Sequence, residues 1–174
     1  MKKIYLLLTY TGTPLAKIIK IYTRCKYSHV SIALDKNLDE LYSFGRINAY
    51  NPFLGGFVHE GIHFGTFKRF KKTLSEVYSL EISDEKYDKL KSLIKTMEKN
   101  KSIYKFNKIG LFLSAFNINY NPNNKFYCAE FVKFVLDETN TIINLPNPIK
   151  PQHFRNLDNT KLIYRGLLQN YSFK

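Results

Sequence analysis

"KFYCAEFVKFVLDE", residues 125–138, places one of the chain's two cysteines where an amphipathic helix begins. Phe131, Val132, Val135 and Leu136 recur at the three- and four-residue spacing of a helix with one buried face. Cys128 stands on the first turn, directly after the Asn-rich stretch "NINYNPNNK" (117–125), which reads as a loop. A helix start carries about half a positive charge and N–H groups with no partner inside the helix. Both favour a thiolate over a thiol, and such N–H groups can stabilise an oxyanion. A free cysteine is also a common small core residue. Position alone therefore leaves packing and chemistry both open.

Working outward, "KKIYLLLTY" (2–10) is rich in β-formers and reads as a buried strand. "GTPLAKIIKIYTR" (12–24) reads as a helix, with Thr13 as cap, Pro14 at the first helical position and Leu15, Ile18, Ile19 and Tyr22 on one stripe. "YSHVSIALD" (27–35) is a strand with His29, Ser31 and Ala33 on one face and Val30, Ile32 and Leu34 on the other. "KNLD" (36–39) turns the chain and "ELYSFG" (40–45) returns as its hairpin partner. "NPFLGGF" (51–57) reads as a glycine-proline loop, and 58–67 as an irregular extended segment. "SEVYSLEI" (75–82) is a further strand. "SDEKYDKLKSLIKTMEKN" (83–100) is a helix capped by Ser83, with Tyr87, Leu90, Ile94 and Met97 in a stripe. "KIGLFLSAF" (108–116) fits helix or strand equally. "LPNPIKP" (145–151) is a rigid extended linker and "KLIYRGLL" (161–168) a last strand. Strands run together with helices between them, the pattern of an α+β fold with a mainly antiparallel sheet. The 174 residues suffice for one domain, 1–174.

A nucleophilic cysteine needs a base, and the chain offers four histidines. His29 is the best placed, a polar ring flanked by serines in a strand otherwise small or apolar. His59 and His63 lie in a glycine-rich region where exposure is the default. His153, in "KPQHF", can cap the segment after the prolines. The two cysteines and four histidines do not show the clustered four-ligand spacing of a zinc site.

The chain holds 27 basic and 14 acidic residues, a net charge of +13. Lysines are spread along it, with "KRFKK" (68–72) the dense cluster, which reads as a solvated face. No interleaved arginine and aromatic run points to nucleic acid. No apolar run approaches the roughly 20 residues of a membrane-spanning helix. "MKKIYLLLTYTGTP" has a short apolar run and no small-residue cleavage site, so the expected location is cytoplasmic. Both cysteines should then stay reduced.

"YSHVSIALD" followed by "ELYSFG", and much later "FYCAEFVKFVL", resembles the NlpC-type cysteine peptidase superfamily, whose fold is papain-like. In ordinary members the cysteine helix precedes the histidine strand. Here His29 comes first, an order that resembles the circularly permuted branch with YiiX-like proteins and lecithin–retinol acyltransferase relatives. The resemblance covers about residues 1–45 and 120–140. It implies Cys128 as nucleophile, His29 as base and a third polar residue on the next strand. Counting through the hairpin puts Ser43 there. Serine departs from the usual His, Asn, Gln or acid, because it cannot stabilise an imidazolium as a carboxylate does. Glu40 is the stronger chemical partner but points to the other strand face. Cys25 is left as a packing residue.

The resemblance implies hydrolysis of an amide or ester through an acyl-enzyme, needing no metal or organic cofactor. The expected partners are small peptides, amides or lipids, with peripheral contact to an anionic membrane suited to the basic charge. A catalytically inactive binding module is the competing reading, supported by the weak third residue.

Overall fold

The structure, a computed structural model, describes residues 1–23, 25–142, 144–155 and 157–172, without the side chains of Leu15, Tyr22 and Thr23. Its centre is β1 (Lys2–Tyr10). Ile4, Leu6 and Leu8 point to one face and Tyr5 and Leu7 to the other, all buried. That double burial explains why "IYLLL" has no polar alternation. β2 (His29–Ala33) and β5 (Leu74–Ile82) flank β1, both antiparallel to it. β3 (Leu41–Asn48) and then β4 (Asn51–Glu60) extend the sheet beyond β2, and β8 (Thr160–Leu167) closes the other edge. The order is β4-β3-β2-β1-β5-β8, with every pairing antiparallel.

Two helices cover one face. α3 (Asp84–Lys99) starts where Ser83 Oγ accepts the Lys86 N–H at 3.3 Å and buries Leu90, Ile94 and Met97. α5 (Cys128–Glu138) buries Phe131, Val132, Val135 and Leu136 completely. Each such side chain contributes about 1.5–3 kcal/mol of transfer free energy. α2 (Gly65–Arg69) and the turn at Leu168 pack a smaller core on the other face, through Phe67, Leu168, Leu7 and Val77.

α1 (Pro14–Thr23), α4 (Lys108–Ser114) and a two-stranded parallel ladder of β6 (Lys105–Phe106) and β7 (Lys125–Phe126) complete the described elements. α1 is capped as expected, the Ala16 N–H donating to Thr13 Oγ1 at 3.3 Å. Its apolar stripe is not uniformly buried, because Ile18 is 51% exposed; Leu15 and Tyr22 lie outside the described side chains. The undecided segment 108–116 begins as helix, with Asn107 Oδ1 accepting the Gly110 N–H at 2.9 Å. Residues 51–57 are not a loop but most of β4. Pro52 is tolerated because β4 is an edge strand and its pairing with β3 is irregular there. Gly55 belongs because a Cβ at that position would lie 2.8 Å from the Phe106 ring.

Candidate active site

His29 is the first residue of β2, and Cys128 is the first residue of α5. Packing of α5 across β2 and β3 brings these two ends to the wall of one cavity, where Cys128 is among the groups that favour the His29 imidazolium. The start of α5 is held from three directions. Tyr127 OH donates to Ile149 O at 2.7 Å, and the Tyr127 N–H donates to Glu130 Oε2 at 3.0 Å. Asn107 Nδ2 in turn donates to Glu130 Oε2 at 3.1 Å. Burial pushes Glu130 up to about 7, against the pull of the Tyr127 and Asn107 hydrogen bonds.

The second partner of the histidine is Glu60. His29 Nε2 lies 3.1 Å from Glu60 Oε1 and 3.3 Å from Oε2. This leaves Nδ1 as the nitrogen to face the thiol. Ser31 Oγ donates to Glu60 Oε2 at 2.5 Å. The imidazole is 19% exposed and the carboxylate 9%. Burial disfavours the imidazolium, yet the Glu60 charge and hydrogen bonds to Cys128 and Glu60 outweigh it and raise the His29 pKa above 6.5. Burial likewise opposes the Glu60 carboxylate, but His29 and the serine hydroxyls overcome it and hold Glu60 below its ordinary value. The pair is therefore an imidazolium–carboxylate pair at neutral pH.

Neither residue expected as third member orients the ring. Ser43 is buried on the same sheet face, and a Cβ built on Gly45 would lie 3.3 Å from Ser43 Oγ, Glu60 Oε1 and His29 Cε1 alike. Ser43 Oγ thus sits beside the carboxylate, where its dipole helps keep Glu60 ionised, but it closes no hydrogen bond of normal geometry. Glu40 faces α3, paired with Lys91 and Lys95 at 3.2 Å each. Reading 51–57 as a loop and 58–67 as an irregular extended segment hid the strand that carries Glu60, one beyond the strand expected to supply the partner. A signal was present, since Glu60 is the lone acid between Glu40 and Glu76. The other histidines lie elsewhere: His59 Nε2 bonds Asp39 O at 2.7 Å, and His153 Nδ1 accepts the Lys150 N–H at 3.1 Å, a group before it in the chain and not in the segment after it. Cys25 is buried.

Cys128, His29 and Glu60 open into a cavity of about 700 Å³. Its walls are mostly apolar, with Ile19, Phe44, Phe67, Leu111 and Phe112 among them. Besides Glu60, β4 supplies Pro52, Phe53 and Gly55 to the walls.

The chain is α+β, with an antiparallel sheet and a histidine strand that precedes the cysteine helix, and its fold is YiiX-like. The crystal structure of the metalloprotein YiiX from Escherichia coli O157:H7 (DUF1105) is similar to this chain, with a TM-score of 0.57 and 14% identity over 94% of this chain and 97% of that one. No protein-family model and no curated protein matches the chain. The word metalloprotein describes that neighbour; among the described residues here, no three His, Cys, Asp or Glu side chains gather into a metal-binding set. No helix among the described residues is long and apolar enough to cross a membrane.

Proposed function

We propose that this protein is a cysteine hydrolase of the NlpC-type, papain-like kind, cleaving an amide or ester bond through an acyl-enzyme. The observation that supports it is Cys128 and a Glu60-paired His29 on the wall of one open cavity. Cys128 Sγ attacks the carbonyl carbon, and the oxyanion forms beside the first-turn N–H groups of α5. His29 gives its proton to the departing nitrogen or oxygen as that bond breaks, leaving a thioester. Water then attacks the thioester; His29 takes its proton and returns one to the sulfur. Glu60 keeps the ring oriented and stabilises its charge, the role an acid plays in a triad.

The apolar cavity favours the lipid-directed branch of this chemistry over a peptide substrate. Its volume and lining suit an acyl chain, which needs few polar contacts. The test is alkylation by iodoacetamide across pH, with the label located by mass spectrometry, in wild type and His29→Ala. It is joined by turnover of soluble p-nitrophenyl esters of increasing chain length. Expected are labelling of Cys128 in preference to Cys25, slower labelling of Cys128 without His29, and turnover that rises with chain length and vanishes in Cys128→Ala. Labelling confined to Cys25, or ordinary thiol behaviour at Cys128, would end the catalytic reading.

A further inference from the structure

Three elements meet at the cavity mouth, and each puts forward an apolar side chain that both lines the cavity and faces solvent. These are Ile18 on α1, Phe53 on β4 and Phe112 on α4, exposed by 51%, 76% and 59%. Large apolar side chains gathered around one opening mark an interaction surface.

Charge is arranged to match. The first 34 residues contain no acid, nor do residues 99–129, and within 41–75 the lone acid is Glu60, which His29 occupies. The rim segments therefore carry cations without acids: Lys17 and Lys20 on α1, Lys108 on α4, all exposed. On α3, by contrast, the acids Asp84, Glu85, Asp88 and Glu98 are interleaved with five lysines. Inside the mouth, Arg46 lines the cavity, its Nη2 donating to Thr13 Oγ1 at 2.9 Å and its guanidinium 5.5 Å from the Phe70 ring. Among the described residues no carboxylate pairs with it. Burial and the nearby Arg69 both weaken its hold on its proton, so an anionic group is the natural complement.

We propose that this rim docks on an anionic lipid bilayer, the apolar side chains entering the headgroup layer and Arg46 meeting a lipid phosphate at the mouth. Apolar insertion combined with basic residues is how peripheral surfaces hold such membranes. Docking would deliver an acyl chain to the cavity, and that part rests on the hydrolase reading above; the docking itself does not require the thiol.

The experiment is co-sedimentation of the 174-residue Cys128→Ala chain with vesicles of phosphatidylcholine alone or mixed with phosphatidylglycerol, at low and high salt. Binding is expected only with phosphatidylglycerol, and it should weaken with salt. Lys17→Glu with Lys20→Glu should weaken it about 10- to 100-fold, and Phe53→Ser with Phe112→Ser should do the same at unchanged charge. Lys89→Glu with Lys161→Glu, a charge-matched pair on α3 and the far sheet edge, should leave binding intact; circular dichroism checks that every variant folds. Equal binding to both vesicles, equal loss in both charge pairs, or binding to an RNA oligonucleotide without vesicle binding would overturn the proposal. Vesicle binding without ester turnover in wild type would sink the hydrolase reading alone. Turnover of soluble esters without vesicle binding would sink the docking alone.

Discussion

His29 and Glu60 support each other's charge, and the consequences for pH follow from the direction of each shift. His29 is raised above 6.5, so its contribution to stability is full below that value and is lost as pH rises through the higher folded value. Glu60 is lowered from 4.5, so its contribution is present above 4.5 and is lost as pH falls. The pair stabilises the fold between these limits. Glu60→Gln leaves a hydrogen-bonding group but no charge, so kcat on a soluble ester should fall by about 10²- to 10⁴-fold. Ser43→Ala, which removes no formed hydrogen bond, should cost less than about tenfold, and Glu40→Ala should leave turnover unchanged. A Ser43→Ala loss equal to that of Glu60→Gln would restore serine as the orienting residue. Cys128 and His29 were legible because each looks odd in its own segment. Glu60 was not, because its partner is 31 positions away and its segment resembles a loop.

Helices α4 and α5 depend on one side chain between them. Asn107 accepts the Gly110 N–H at the start of α4 and donates to Tyr120 O at 2.8 Å and to Glu130 at the start of α5. Asn107→Ala should therefore lower unfolding free energy by about 2–3 kcal/mol, the loss of a cap plus buried partners left unpaired. Urea denaturation measures this, and a change under about 0.5 kcal/mol would mean that water replaces the amide. The amphipathic spacing of α3 and α5 was legible because burial on one face leaves a periodic trace. β4 left none, since an edge strand beside an apolar cavity is shaped by its neighbours rather than by β propensity.

Across the molecule, Glu76 ties together parts of the chain far apart in sequence. Its side chain is fully buried on β5, where Arg155 Nε and Arg165 Nε donate to it at 2.8 Å each, Tyr78 OH at 2.9 Å, and Lys26 lies at 3.6 Å. Burial opposes its charge, but Arg155 and Tyr78 lead the groups that hold it at about 2. A carboxylate lowered from 4.5 to about 2 contributes on the order of 3 kcal/mol at neutral pH, lost as pH falls through that window. Glu76→Gln should destabilise the fold by about 3–5 kcal/mol at pH 7, leaving three cations without their anion. The gap between wild type and variant should narrow as pH drops from about 4.5 to 2 in guanidinium titrations. A gap that stays constant over that range would show that Glu76 acts through shape and not charge. The same scale carries the basic rim, whose segments hold cations without acids, and this predicts a salt-dependent approach to anionic surfaces.

The α+β class, the strands β1, β2, β3, β5 and β8, the helices α1, α3 and α5, and the cysteine and histidine of the candidate site could be read from residues near one another in the chain. Periodicity, caps and misplaced polar residues are local signals, and local physics writes them. Three things required the folded chain: Glu60 as the partner of His29, the strand character of 51–57, and the convergence of Ile18, Phe53 and Phe112 on one opening. Each depends on which side chains the sheet order brings across from distant segments, and contact at a distance leaves no period in the sequence.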